Sequence, residues 1–153
     1  MTLKRINLSF FYLLIPLSCF LSSHLAAKAK PAKIDPQVAE KLCTEGDLAA
    51  CIRLATYYEK SDQTSLALPL YEKACYASDQ VSCLKLAAAA KKQNKVAETM
   101  KWLRAECRSP SSSGEGCYQI ALIAQDQGLK HETQRWMTKA CRKGHDLACK
   151  AAK

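Results

Sequence analysis

The chain has 153 residues, with 23 Lys and Arg against 14 Asp and Glu for a formal charge of +9; 48 % of the residues are hydrophobic and 7 % aromatic. That is room for one domain, too apolar to be disordered, and five Gly and five Pro are too few for an all-β sandwich that turns about every ten residues. Nine cysteines exceed the usage of an ordinary cytosolic enzyme yet fall short of a coreless disulfide scaffold, so an all-α domain is expected.

Residues 1–29 read as a secretory signal peptide. Lys4 and Arg5 precede an apolar stretch from Leu8 to Leu21, broken by Pro16 and Ser18, and Ala27-Lys28-Ala29 offers an A-x-A cleavage site. The stretch is shorter than the roughly 18 to 20 residues of a spanning helix. Leu17-Ser18-Cys19 partly resembles the site at which bacterial lipoproteins are cut and acylated, which makes a lipid anchor at Cys19 the alternative; Pro16 departs from that pattern. Cleavage removes Lys4, Arg5, Lys28 and Cys19, leaving +6 and eight cysteines on a polar tether, 30–35, and a domain, 36–153. A periplasmic or secreted protein is expected.

In that domain the cysteines recur. Cys43, Cys75, Cys107 and Cys141 form one ladder and Cys51, Cys83, Cys117 and Cys149 a second, in the same register, with a repeat of 32 to 34 residues. The single indel falls between Arg108 and Gly116. Columns of the alignment carry a helical period: Leu54, Leu86 and Ile120; Ala55, Ala87 and Ala121; then Leu70, Trp102 and Trp136, with Tyr71, Leu103 and Met137 beside them. Breaks at Ser61-Asp62, Gln93-Asn94 and Gln127-Gly128 divide each repeat into two helices. The expected architecture is a short α/α solenoid of three helical hairpins, with a half-repeat at each end, 36–43 and 146–153.

Each Cys, seven residues, Cys step (nine in the repeat with the indel) spans the corner between one hairpin and the next. It predicts disulfides Cys43–Cys51, Cys75–Cys83, Cys107–Cys117 and Cys141–Cys149. Buried free thiols and zinc are the alternatives. The gap is not a zinc knuckle, and only His131 and His145 could join the cysteines, so no metal and no cofactor are expected.

The stretch Leu70-Tyr71-Glu72-Lys73-Ala74-Cys75 with Cys83, repeated as Trp136-Met137-Thr138-Lys139-Ala140-Cys141 with Cys149, resembles the disulfide-stapled Sel-one-like repeats of the Helicobacter cysteine-rich protein family. The loop at 60–63 is shorter than that family's, closer to tetratricopeptide geometry. The resemblance implies a protein-interaction scaffold, or a protein that binds and slowly hydrolyses β-lactams.

The sequence offers one candidate for the latter chemistry. Ser82-Cys83-Leu84-Lys85 matches the S-x-x-K of serine β-lactamases, a nucleophile one helical turn from a lysine. However, no S-D-N or K-T-G accompanies it, and the column of Ser82 reads Ala50, Gly116 and Ala148, which points to packing at a tight corner. His131 and His145 suit surface or capping roles better than general-base catalysis. Glu106, in a column with Ala74 and Ala140, reads as a wet, frayed helix end; buried, it would need Arg104, Arg108 or a backbone N–H. The Ser-rich spacer at 108–116 reads as a protruding loop.

For binding, the first helices present Arg53, Tyr57 and Lys60, then Lys85, Ala89 and Lys92, then Ile123, toward the expected concave side. Arg53 above Lys85 and Lys60 above Lys92 would flank an apolar strip through Tyr57, Ala89 and Ile123. Such a groove suits an acidic or C-terminal peptide segment of another protein. Nucleic acid is not expected, because the charge is diffuse and no exposed aromatic series accompanies it.

Overall fold

The computed structural model describes residues 34–152; the expected signal peptide, most of the expected tether and Cys19 lie outside them. Eight helices follow one another among the described residues: α1 (Pro36–Thr44), α2 (Leu48–Lys60), α3 (Thr64–Tyr76), α4 (Gln80–Lys92), α5 (Val96–Arg108), α6 (Glu115–Asp126), α7 (Lys130–Arg142) and α8 (Asp146–Ala151). Each packs on its neighbours in order, with the closest pairing inside the hairpins α2–α3, α4–α5 and α6–α7. This is the α/α solenoid of three hairpins between two half-repeats.

The two kinds of connection have distinct local chemistry. Within a hairpin, one residue takes the left-handed conformation, Asp62, Asn94 and Gly128 in turn. The N–H of the next residue (Gln63, Lys95, Leu129) then closes back on the preceding helix at Tyr58, Ala90 and Ala124. At the corners between hairpins, Gly46, Ser78 and Gly144 do the same. There the next helix is capped by a side chain: Asp47 accepts from Ala50 N–H, Asp79 from Ser82 N–H, and His145 Nδ1 from Ala148 N–H.

The third corner is where the pattern breaks, and the reason is one residue. The left-handed column continues Gly46, Ser78, Pro110, Gly144, and proline cannot adopt a positive φ. Two extra residues postpone the turn to Gly114, at φ 84°, which has no side chain with which to cap α6. Glu106 supplies the missing acceptor from the preceding helix. Its Oε2 accepts from Gly116 N–H at 2.7 Å and its Oε1 from the Ser112 hydroxyl at 2.8 Å. Glu106 is therefore fully buried, not wet and frayed, and its partners are a backbone N–H and Ser112, not Arg104 or Arg108. Nor does the spacer protrude as a whole: Ser109 and Ser112 are buried, and Ser109 donates to Ser78 C=O.

Four disulfides join the corners in the expected pairing, with Cα–Cα distances of 4.7, 4.8, 5.0 and 4.5 Å along the chain. Every bridge links the second helix of one repeat to the first helix of the next. Disulfides of this number fit an oxidising, non-cytoplasmic environment. Among the described residues no helix is long and apolar enough to cross a membrane.

The core follows the predicted columns. Leu54, Leu86, Ile120 and Leu103 are at most 5 % exposed, and the last three pack with Tyr71 and Trp102 in one cluster. Lys73 adds a tie between repeats, donating to Cys43 C=O at 2.6 Å.

Candidate binding groove

The first helices carry the surface on which the candidate binding residues lie. Tyr57 is 37 % exposed and stacks edge-on with Tyr58, while Ala89 and Ile123 are half-buried, in separate clefts. The basic ladders are less free than the sequence suggests. Lys85 Nζ lies 2.8 and 2.9 Å from the two carboxylate oxygens of Glu59, and Arg53 lies 3.9 Å from Asp47, the cap of its own helix. Lys60 and Lys92 are exposed and make no ion pair among the described residues.

Glu59 is the residue that sequence reasoning missed. It accepts from Lys85 and from the Tyr71 hydroxyl at 2.8 Å, while Thr56 Oγ1 stands 3.4 Å from the same phenol. The Lys85 bond holds the Glu59 carboxyl below the ordinary carboxylate range against an opposing effect of burial, with the Tyr71 bond adding to it. The same bond raises Lys85, and burial pushes the Tyr71 phenol up. No spacing in the sequence pairs Glu59 with Lys85, which stands 26 residues on in the next repeat.

Stability should follow pH with signs set by those shifts. The lowered Glu59 contributes above the unfolded carboxylate pKa, and that contribution is lost as pH falls through its folded value. The raised Lys85 contributes below the unfolded lysine pKa and loses its share as pH rises through the folded one. Both side chains are more than a third exposed, so Glu59→Gln should flatten the acid limb of a denaturant-midpoint against pH curve by less than about 1 kcal/mol. An unchanged acid limb in the variant would show that the pair contributes nothing.

Between successive first helices the surface opens into three clefts that are repeats of one another. The first, roughly 380 Å³, has Tyr71 on its floor and Glu59 and Lys85 on its walls. The second, roughly 340 Å³, has Leu103 on the floor with Lys91 and Gln119 in the wall positions, and Leu122 and Ile123 where the first cleft has Ala88 and Ala89. The third, roughly 400 Å³, has Met137 on the floor with Gln125 and Ala151. All three are of mixed lining, with Lys91, Glu115 and Asp126 around the apolar floor of the second and Lys130, Thr133 and Gln134 around that of the third.

Ser82 lies elsewhere. It is 1 % exposed at the α3–α4 corner, and its hydroxyl has no hydrogen-bond partner among the described residues. Lys85, one turn on, points its ammonium at Glu59, so the structure does not bring the S-x-x-K pair together as nucleophile and base. Ser82→Ala should raise stability by about 1 kcal/mol, since it removes a buried unpaired hydroxyl and restores the residue of the sister repeats. A denaturant midpoint lowered by the substitution would contradict this.

His145 caps α8, stacks on Tyr118 with ring centroids 4.2 Å apart, and its Nε2 lies 2.9 Å from Glu115. The capping reading of His145 thus holds, while His131 is exposed at the start of α7. No group of three or more potential metal ligands occurs among the described residues. No family model, no curated protein and no solved structure matches the chain.

Proposed function

We propose that the chain is an exported, disulfide-stapled repeat scaffold whose first-helix groove binds a segment of another protein in the bacterial envelope or outside the cell. The observation that carries this reading is the row of three repeat-equivalent clefts between successive first helices, with Ala89 and the exposed Lys92 in the first and Ile123 in the second. A rigid stack held by bridges at every corner presents such a row already formed, which lowers the ordering cost of binding. Export is supported by the charged start, apolar stretch and A-x-A site of residues 1–29 together with the disulfides. The resemblance to Sel-one-like repeats of the Helicobacter cysteine-rich family adds weight to a scaffold.

The test is selection from an unbiased displayed-peptide library on the oxidised chain 30–153. Binders should emerge, and Ala89→Arg or Ile123→Arg, each of which fills its cleft, should cost them at least tenfold in affinity while the helical circular-dichroism spectrum is kept. Peptides that bind equally well to both variants would place the binding surface elsewhere. A library that yields no binders would refute the reading.

A further inference from the structure

The second helices hold a position that is filled in one repeat and open in the repeat before it. In the middle hairpin Trp102 is only 6 % exposed. Tyr76 meets it edge-on with ring centroids 5.8 Å apart, and Lys101 Nζ lies 4.0 Å from the centre of its ring. The same lysine is 3.8 Å from Glu72, which also accepts from the Tyr76 hydroxyl. An indole, a cation and a carboxylate are thus joined across α3 and α5.

Thirty-two residues earlier only the carboxylate is kept. Glu40 corresponds to Glu72, whereas Leu70 stands for Trp102, Pro69 for Lys101 and Thr44 for Tyr76. Part of the bulk passes to α2, where Tyr58 replaces Ala90. In addition, α3 packs on α5 more closely than α1 packs on α3. A cleft of roughly 290 Å³ opens there, with Tyr58, Leu66 and Leu70 as apolar lining and Glu40, Thr44 and Ser65 as polar lining. Leu66 is 50 % exposed beside it.

The charge in this cleft is unanswered from within. Glu40 is exposed and makes no ion pair among the described residues. Of the nearby lysines, Lys73 donates to Cys43 C=O and Lys41 lies 4.0 Å from Glu45. The volume falls at the lower edge of small-molecule pockets, about 300 to 1,000 Å³, and so suits one large side chain. Trp and Arg are also the side chains on which protein interfaces most often depend.

We infer that the α1–α3 cleft binds a partner protein through an aromatic side chain preceded by Lys or Arg. The ring lies against Tyr58 and Leu70 and the cation answers Glu40, as Lys101 and Trp102 do for Glu72 inside the chain. This cleft shares no lining residue with the three first-helix clefts, so it is a second site and stands or falls apart from the groove.

End-blocked peptides with Lys-Trp, Ala-Trp, Lys-Ala or Glu-Trp between Gly-Ser flanks test it, titrated into nitrogen-15-labelled oxidised chain 30–153 and followed by amide NMR shifts. Lys-Trp should move the amides of Glu40, Tyr58, Leu66 and Leu70, and bind at least fivefold more tightly than Ala-Trp and tenfold more tightly than Lys-Ala or Glu-Trp. Glu40→Lys, an exposed change, should reverse the order of Lys-Trp and Glu-Trp. Leu70→Trp with Tyr58→Ala rebuilds the packing of the middle repeat, and it should abolish binding while the helical circular-dichroism spectrum is kept. Lys-Trp and Glu-Trp binding equally well, or an order unmoved by Glu40→Lys, overturns the inference. So do shifts confined to Tyr57, Ala89 and Ile123, which would leave the groove standing and remove this site.

Discussion

Complete reduction of the four disulfides is expected to unfold the chain. Each bridge spans a sequence separation of only 8 or 10 residues, which corresponds to roughly 2.5 kcal/mol in the chain-entropy model. Four such contributions reach about 10 kcal/mol, comparable with the whole stability of a small domain, about 5 to 15 kcal/mol. The helices have little to fall back on, because the longest has 13 residues and isolated helices shorter than about 12 to 15 residues are marginal in water. Helical circular dichroism of the chain reduced and alkylated under denaturing conditions, then returned to buffer, decides the matter. Loss of most of the signal is expected; a native-like spectrum from fully alkylated protein would show that the hydrophobic stack suffices alone.

Gly116→Ala should cost about 3 kcal/mol or more, as much as truncating a large core side chain. A Cβ at Gly116 would stand 2.5 Å from Leu103 C=O and from Glu106 Oε2, so α6 must move off the carboxylate that caps it. The displaced Glu106 would then be buried without Gly116 N–H, and Ser112 would lose its anchor. The partner substitution Glu106→Ala alone should cost about 2 kcal/mol, since the Gly116 N–H and the Ser112 O–H both lose their acceptor, although Ser112 Oγ still accepts from Gly114 N–H. In Gly116→Ala with Glu106→Ala the two losses should fall short of their sum, because each variant breaks the same bond. Urea denaturation of the four oxidised proteins measures the coupling; strict additivity would show that Glu106 and Gly116 do not act as a pair.

The repeat architecture was legible because it is written in covalent chemistry. Two registered cysteine ladders and gap-free apolar columns fix helix number, pairing and bridges without any packing detail. What escaped was the third corner. Pro110 stands in the column of left-handed residues, and that conflict was visible in the alignment, but its solution, a glutamate reaching from the previous helix to replace an absent cap, requires knowing that Gly114 takes the turn and leaves α6 bare. The groove was half legible. The columns placed Ala89 and Ile123 on the groove side, whereas the engagement of Lys85 by Glu59 joins residues 26 apart, in different repeats, and columns compared within one helix face do not show which charges meet across it. Ser82 shows the reverse case, in which the repeat column outweighed the motif: a position otherwise held by Ala or Gly is a packing position whatever short pattern surrounds it.

The placement of the bridges has a consequence for resistance to proteolysis. Because each bridge spans a corner, a protease that nicks the chain at 44–50, 76–82, 108–116 or 142–148 leaves both sides joined through sulfur, and no fragment departs. A cut divides the molecule only between bridges, at 52–74, 84–106 or 118–140, and the non-helical part of each stretch is just the three-residue turn at 61–63, 93–95 or 127–129. The protein is thus severable at three tight places and mended in advance at the other four, including the longest and most serine-rich of its connections.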